Sequence, residues 1–158
     1  MNYRDTLKLV ASLILTFSAA AIGSLATTAQ SNWYRNLTKP SFNPPGWIFG
    51  PVWTGLYILM AVAFFMIWRR GFADRRGRIA LTCFLVQLVL NAVWTLLFFG
   101  LQSPLVALVE IALLLVAIVL TIWAFARISK AAAWLLAPYL CWVAFAAVLN
   151  GSIWWLNR

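Results

Sequence analysis

The chain has 158 residues, of which 65% are hydrophobic and only 9% are charged, with a formal net charge of +9 and a mean hydropathy of +0.91. Soluble globular domains are about 45–50% apolar and about 25% charged, so this sequence lacks the polar residues needed to cover a surface in water. The composition therefore excludes a soluble domain of any size and predicts a protein embedded in lipid.

Five apolar stretches are each long enough to cross a bilayer as a helix, which takes about 20 residues. They lie near residues 7–28, 47–68, 79–100, 104–126 and 131–155. Continuous apolar runs of this length argue against barrel strands, which are about 10 residues long and alternate in polarity. Because backbone groups in lipid must be bonded internally, the sequence predicts an all-α membrane protein, with one five-helix transmembrane domain over residues 1–158.

The first stretch resembles a secretory signal peptide, because basic residues precede an apolar run from Val10 to Phe17 and small residues follow it. We expect it to be retained as the first helix. Within it, Ala19, Gly23 and Thr27 recur every four residues and form a small-residue stripe that permits close approach of another helix. Packing inside the chain and self-association explain this stripe equally well.

The basic residues are distributed unevenly between the two ends of the predicted bundle. With five spans, the N-terminus and the second and fourth loops share one side, which carries Arg4, Lys8, Arg69, Arg70, Arg75, Arg76, Arg78, Arg127 and Lys130. The other side carries Arg35, Lys39 and Arg158. This asymmetry follows the positive-inside rule and predicts a cytoplasmic N-terminus. The charge is therefore topogenic rather than a nucleic-acid surface, and binding of the cluster near residues 69–78 to anionic lipid is a weaker alternative.

The first loop, from Trp33 to Trp47, is stiffened by three prolines and is rich in aromatic residues. A rigid aromatic loop on the outer side suits a lid over the bundle. The alternative is an aromatic belt at the membrane surface, since Trp and Tyr prefer the head-group level. The composition of the loop does not decide between them.

Three spans each place unusual residues on one helical face. These residues are Phe49, Trp53 and Tyr57 in the second span, Gln87, Asn91, Trp94 and Phe98 in the third, and Tyr139, Trp142, Ala146, Leu149 and Asn150 in the fifth. Amides are costly in lipid unless they find partners, so Gln87 and Asn91 should face inward. Converging aromatic faces with a few amides describe a site for a large planar apolar ligand. The alternative is that the amides only join helices to one another.

Few other residues of the chain are of the types that bind metals or take part in catalysis. Glu110 is the only acidic residue well inside a span, near the outer end of its helix, and we expect a snorkelling or neutral side chain rather than a proton relay. Cys83 and Cys141 lie inside spans and read as small apolar residues. The chain has no histidine, no metal-ligand spacing and no nucleophile–base set, so we predict no metal site and no conventional acid–base catalysis.

These motifs, in this order and over nearly the whole chain, resemble the TspO/MBR family of tryptophan-rich sensory proteins and translocator proteins, also known as peripheral benzodiazepine receptors. The matching segments are Trp33-Tyr34-x-x-Leu37-x-Lys39-Pro40-x-x-x-Pro44-Pro45, Trp53-Thr54-x-Leu56-Tyr57, Gln87-x-x-x-Asn91-x-x-Trp94, Phe98-Phe99-Gly100 and Pro138-Tyr139-Leu140-x-Trp142 with Leu149-Asn150. Two positions depart from the family pattern. Phe42 stands where tryptophan is common, and Gly151 stands where a proposed cholesterol motif needs tyrosine.

The resemblance implies a five-helix bundle with the first loop closing a ligand cavity, a homodimer, and a place in a bacterial cell membrane. It implies binding of porphyrins such as protoporphyrin IX or haem, of cholesterol, and of benzodiazepine or isoquinoline drugs, with no required cofactor. The ligand site implied by the resemblance comprises Tyr34, Trp53, Asn91, Trp94, Phe98, Trp142, Ala146 and Leu149. The helical faces described above add Phe49, Tyr57 and Gln87.

Three functions are expected from this combination. The first is a porphyrin-binding membrane sensor, regulator or carrier. The second is an enzyme that degrades porphyrin with light and oxygen, since Trp53 and Trp142 match family tryptophans linked to that reaction. The third is a transporter of cholesterol or drug-like molecules. Gly151 weakens the expectation of specific sterol binding and places porphyrin ahead of cholesterol.

Overall fold

The computed structural model describes the backbone of residues 2–29 and 31–158, and the side chains of these residues except 26, 28, 29 and 31. Residues 1 and 30 of the predicted domain lie outside this description. The described chain forms the helices α1 (Tyr3–Ala29), α2 (Ser31–Asn36), α3 (Gly46–Arg70), α4 (Arg75–Thr95), α5 (Pro104–Ala126), α6 (Lys130–Trp134) and α7 (Ala137–Leu156). A π-helical turn, Leu96–Gly100, continues α4.

Five helical stretches are long and apolar enough to span a membrane, which confirms the predicted fold class. They are Tyr3–Leu25, Gly46–Arg70, Arg75–Gly100, Pro104–Ala126 and Lys130–Leu156. Most begin or end a few residues beyond the predicted limits, because a helix continues its backbone hydrogen bonds through the basic residues that flank an apolar run. The chain is therefore a multi-pass integral membrane protein.

The fifth span is not the single helix that the sequence predicted over residues 131–155. It is interrupted after α6, where the Leu136 N–H bonds the Ala133 carbonyl at 3.1 Å, and α7 restarts at Ala137. Pro138 explains the restart, because proline lacks an N–H and its ring clashes with the preceding turn, so it is favoured in the first turn of a helix. The interruption lies at the end of the bundle that also holds the α3–α4 loop.

The helices pack through small residues and stacked rings. Buried alanines at helix contacts include Ala61, Ala63, Ala80, Ala107, Ala117, Ala124, Ala132 and Ala133. Between helices in lipid there is no hydrophobic driving force, so close van der Waals contact at small side chains has to supply the attraction. Phe64, Phe84 and Phe125 add a ladder across α3, α4 and α5, with ring centroids 4.4 and 5.8 Å apart along it.

The small-residue stripe of α1 packs inside the chain at two of its three positions. Ala19 is buried in the core, and a Cβ added to Gly23 would lie 3.2 Å from Thr95 Oγ1. Thr27 is exposed, and its hydroxyl bonds the Gly23 carbonyl at 3.0 Å. Of the two explanations left open by the sequence, packing inside the chain therefore holds for Ala19 and Gly23, and Gly23 packs against α4.

The short connection from α3 to α4 depends on two glycines. Gly71 has a φ of +95°, in the left-handed region that favours glycine. Asp74 caps α4, because its Oδ1 accepts a hydrogen bond from the Gly77 N–H at 2.9 Å. Gly77 lies so close to the preceding turn that an added Cβ would be 2.6 Å from the Gly71 carbonyl oxygen.

Substitution Gly77→Ala should destabilise the protein by about 1–3 kcal/mol, because backbone atoms would have to move to admit the methyl group. Gly55→Ala is the matched control, since among the described residues no side chain or other segment lies within 4 Å of its added Cβ and alanine is the better helix former. Thermal unfolding of the detergent-solubilised protein, followed by circular dichroism, should show a lower midpoint for Gly77→Ala only. An equal drop for both variants would contradict this description of the connection.

Candidate functional site

A cavity of about 740 Å³ lies at the end of the bundle beneath α2 and the loop that follows it. We call residues 31–45 the lid. The cavity is lined by Phe17, Ala20, Gly23, Ser24, Thr27, Tyr34, Arg35, Lys39, Pro44, Gly46, Phe49, Gly50, Trp53, Thr54, Tyr57, Trp94, Thr95, Phe98, Phe99, Trp142, Ala146, Leu149, Asn150 and Ile153. The lining comes from α1, the lid, α3, α4 with its π-helical turn, and α7. Pockets for drug-sized ligands span about 300–1,000 Å³, so this cavity is of ligand-binding size.

Aromatic rings form most of the cavity wall and hold one another in place. The rings of Trp53 and Tyr57 on α3 are 5.6 Å apart, and Phe49 meets Trp142 of α7 edge to face at 5.8 Å. On the opposite wall Trp94 stacks on Phe98 at 5.3 Å. Such contacts restrict the rotamers of the rings, so the wall is preformed for a flat apolar ligand.

The lid is tied to the bundle at several points. Thr38 and Asn157 exchange two hydrogen bonds, each 2.9 Å long, which join the lid to the end of α7. Phe42 contacts Phe145 of α7 edge to face at 6.3 Å. Trp47, just after the lid, is 74% exposed and fits the alternative role of a belt residue. The lid interpretation is thus correct for the loop, and the belt interpretation stays a prediction for Trp47.

Tyr34 links the lid to the π-helical turn. Its ring lies 6.2 Å from Phe98 and 5.6 Å from Phe99. Two consecutive residues can both reach this ring because the π-helical turn contains an extra residue and so departs from the α-helical spacing. The Tyr34 hydroxyl donates to Asn43 Oδ1 at 3.1 Å. Burial raises the pKa of this hydroxyl, and the bond to Asn43 opposes the rise only in part, so Tyr34 stays a neutral donor at physiological pH.

Nine of the eleven predicted ligand-site residues line this one cavity. They are Tyr34, Phe49, Trp53, Tyr57, Trp94, Phe98, Trp142, Ala146 and Leu149. Gln87 and Asn91 do not line it, although both are buried as predicted. The sequence correctly placed these amides on the inward face of the third span. At the height of Gln87 and Asn91, however, this face lies below the cavity.

Asn91 acts as a bridge between helices behind the cavity wall. Its Oδ1 accepts from the Tyr57 hydroxyl at 2.6 Å, and its Nδ2 donates to the Tyr139 hydroxyl at 3.1 Å. One amide on α4 therefore joins α3 to α7 and orients Tyr57, whose ring does line the cavity. Asn91 fits the structural alternative weighed for it from the sequence.

A second amide, Asn150 on α7, fixes another part of the wall. Its Oδ1 accepts from the Trp94 indole N–H at 3.1 Å, and its Nδ2 donates to the Pro104 carbonyl at 2.7 Å. The Pro104 carbonyl belongs to the first turn of α5, so this hydrogen bond joins α5 to α7. Asn150 thus joins α4, α5 and α7 at the level of the cavity.

Three buried polar groups have no hydrogen-bond partner among the described residues. They are both amide atoms of Gln87, both carboxyl oxygens of Glu110 and the indole N–H of Trp142. Glu110 is only 6% exposed, so the snorkelling interpretation is wrong, because a snorkelling carboxyl would have to reach solvent. Trp142 lines the cavity, and its indole N–H has no acceptor among the described residues.

Sequence reasoning missed the contribution of α1. Phe17, Ala20, Gly23, Ser24 and Thr27 line the cavity, whereas the sequence was read there as a packing stripe only. The small and hydroxyl-bearing residues were the available signal, since they are the ones that leave space beside α3. Arg35, Lys39 and Pro44 of the lid were also missed, because sequence periodicity carries no information about an irregular loop.

The sequence model of the TspO/MBR family matches residues 11–156 of the chain. The tryptophan-rich protein TspO of Chlorobaculum tepidum is 48% identical over 155 residues, which cover 98% of each chain. The translocator protein of Homo sapiens is 40% identical over 77% of this chain and 73% of its own length. The tryptophan-rich sensory protein of Cereibacter sphaeroides is 38% identical over 92% and 91%.

Substitution Asn91→Ala should destabilise the protein by about 1–3 kcal/mol, because it leaves the hydroxyls of Tyr57 and Tyr139 buried without their partner. Gln87→Leu, one turn earlier on α4, should be neutral or stabilising, since the amide it removes has no bonds to lose. Thermal unfolding in detergent compares the two. If Gln87→Leu lowers the midpoint as much as Asn91→Ala, the assigned hydrogen bonds do not explain the burial of these amides.

Proposed function

The chain belongs to the TspO/MBR family, and from this premise we propose that it binds a porphyrin in the cavity beneath the lid. Binding would serve the protein as a sensor, regulator or carrier of tetrapyrroles in the membrane. The observation that carries the proposal is the cavity itself, whose walls are aromatic rings from α3, α4 and α7. A flat macrocycle gains most from such walls, because offset and edge-to-face contacts between rings add to the burial of apolar surface.

The chemistry of the lining supports a ligand of this kind. The wall offers few polar groups, and the indole N–H of Trp142 is a donor with no acceptor among the described side chains. A macrocycle with carboxylate acceptors at its edge complements this lining better than a wholly apolar molecule does. The names of two relatives, a sensory protein and a translocator protein, agree with a role in ligand detection or movement.

Filling part of the cavity should weaken porphyrin binding. Titration of the purified protein with protoporphyrin IX in the dark, read by quenching of its tryptophan fluorescence, should saturate for the wild type. Ala146→Phe should weaken the apparent affinity at least about tenfold, because its ring would occupy the space of the ligand. Ala144→Phe adds the same ring two residues away on the exposed face of α7, outside the cavity lining, and should bind as the wild type does.

Linear, unsaturable quenching that is equal in all three proteins would show partition into the detergent micelle and would overturn the proposal. Illumination of the complex in air separates binding from the expected alternative of light-dependent breakdown. Loss of porphyrin absorbance that Trp53→Phe removes, while binding persists, would favour the enzyme. Until then that reaction stays a prediction of the resemblance, as does the homodimer.

We also propose that the N-terminus lies in the cytoplasm of a bacterial cell, so that the lid faces outward. Contacts between Lys8 Nζ and the Trp68 carbonyl at 3.4 Å, and between Asp5 and Arg69 at 3.4 Å, bring the N-terminus and the α3–α4 connection to one end of the bundle. That end carries nine of the twelve basic residues, which supports the assignment.

The orientation can be measured with an impermeant maleimide on intact cells. In a background where Cys83 and Cys141 are replaced by alanine, Ser41→Cys in the lid should be labelled. Ala73→Cys, in the exposed α3–α4 connection, should react only after the cells are permeabilised. The reverse labelling would place the N-terminus and the basic end outside.

A further inference from the structure

Two basic side chains, Arg35 and Lys39, belong to the lining of an otherwise uncharged and mostly apolar cavity. Both come from the lid, so they lie at the mouth rather than at the aromatic walls below. Among the residues that the structure describes, no acidic residue contributes to the lining. An apolar chamber with cations at one edge differs from a site for a wholly neutral ligand, because these charges attract anions and would gain nothing from an uncharged molecule.

Lys39 is held in place by the lid itself. Its ammonium group donates to the carbonyls of Arg35 at 3.1 Å and Leu37 at 3.0 Å, and it lies 4.8 Å from the centre of the Tyr34 ring. These contacts cap the end of α2 and fix the charge beside a cavity residue. An ammonium group has three donors, so two are used by the lid and one is left for a further acceptor.

Arg35 has no carboxylate within ion-pair distance among the described residues. The acids of the chain are placed elsewhere. Asp5 and Asp74 lie at the opposite end of the bundle, and Glu110 is buried on α5. The guanidinium therefore keeps its paired donors, which suit a carboxylate in two-point contact.

We propose that Arg35 and Lys39 are the carboxylate anchor of the cavity and select planar tetrapyrroles that carry acidic side chains along one edge. The macrocycle would lie between the aromatic walls with this edge turned toward the lid. The inference rests on the proposed function and adds to it the orientation of the ligand and the residues that set specificity. Sterols and other neutral molecules lack the group that this anchor binds.

Two ligands with the same ring system test the anchor. Protoporphyrin IX carries two carboxylates, and its dimethyl ester carries none. Both are titrated, in the dark and in a neutral detergent free of anionic lipid, against the wild type and the double variant Arg35→Gln/Lys39→Gln. We expect the double variant to lose about tenfold or more in affinity for the free acid and to bind the ester within about twofold of the wild type. Added salt should weaken binding of the free acid alone.

Three further variants separate charge pairing from damage to the lid. Arg35→Gln alone leaves the Lys39 contacts with the backbone intact and should still weaken binding of the free acid. Arg35→Lys keeps the charge and should restore most of it. Arg76→Gln/Arg78→Gln removes the same number of charges from exposed positions at the opposite end and should change neither ligand.

The outcomes are distinct. If the double variant weakens acid and ester equally, the two residues shape the lid and the anchor is wrong. If the wild type binds both ligands and the double variant matches it, the porphyrin site stands without a carboxylate anchor. Failure of the wild type to bind either ligand would overturn the proposed function together with the anchor.

Discussion

The structure depends on hydrogen bonds that join polar side chains of different helices, because an unpaired polar group is costly inside a membrane. Asn91 is the clearest case, since a single amide on α4 bonds Tyr57 of α3 and Tyr139 of α7. Apolar side chains alone do little to fix the relative heights of two helices in lipid, because no hydrophobic force acts between the helices there. A bonded amide does fix them, so the relative heights of three helices follow from this bridge.

Hydrogen bonds from amides also fix the positions of the aromatic rings in the cavity wall. Asn91 orients Tyr57 from behind the wall, and Asn150 orients Trp94 while bonding the Pro104 carbonyl. The rings then contact one another along the wall, stacked or edge to face, rather than collapsing into the space between helices. On the remaining side, Gly23 lets α1 approach Thr95 closely, so α1 closes the chamber with small residues instead of filling it.

The lid gives this chamber its chemical asymmetry. Pairing of Thr38 with Asn157 and packing of Phe42 on Phe145 attach the lid to α7. The lid also carries Arg35 and Lys39, so the segment that covers the cavity also places its two positive charges. A ligand that is apolar in its body and acidic at its edge would match both parts, which is why the proposed porphyrin and the proposed anchor support each other.

The sequence by itself determined the five spans, the all-α class and the inward direction of the amides, because lipid penalises every unpaired polar group and the helical period fixes which side chains share a face. It also indicated most of the aromatic wall through that period. It did not determine which neighbour each inward face meets, so Gln87 and Asn91 were assigned to a cavity that lies above them. The interruption before Ala137, the π-helical turn and the share of α1 in the lining were likewise decided only by tertiary structure. Helix height, local breaks and loop path depend on contacts between segments far apart in the chain, and no periodicity within one segment records them.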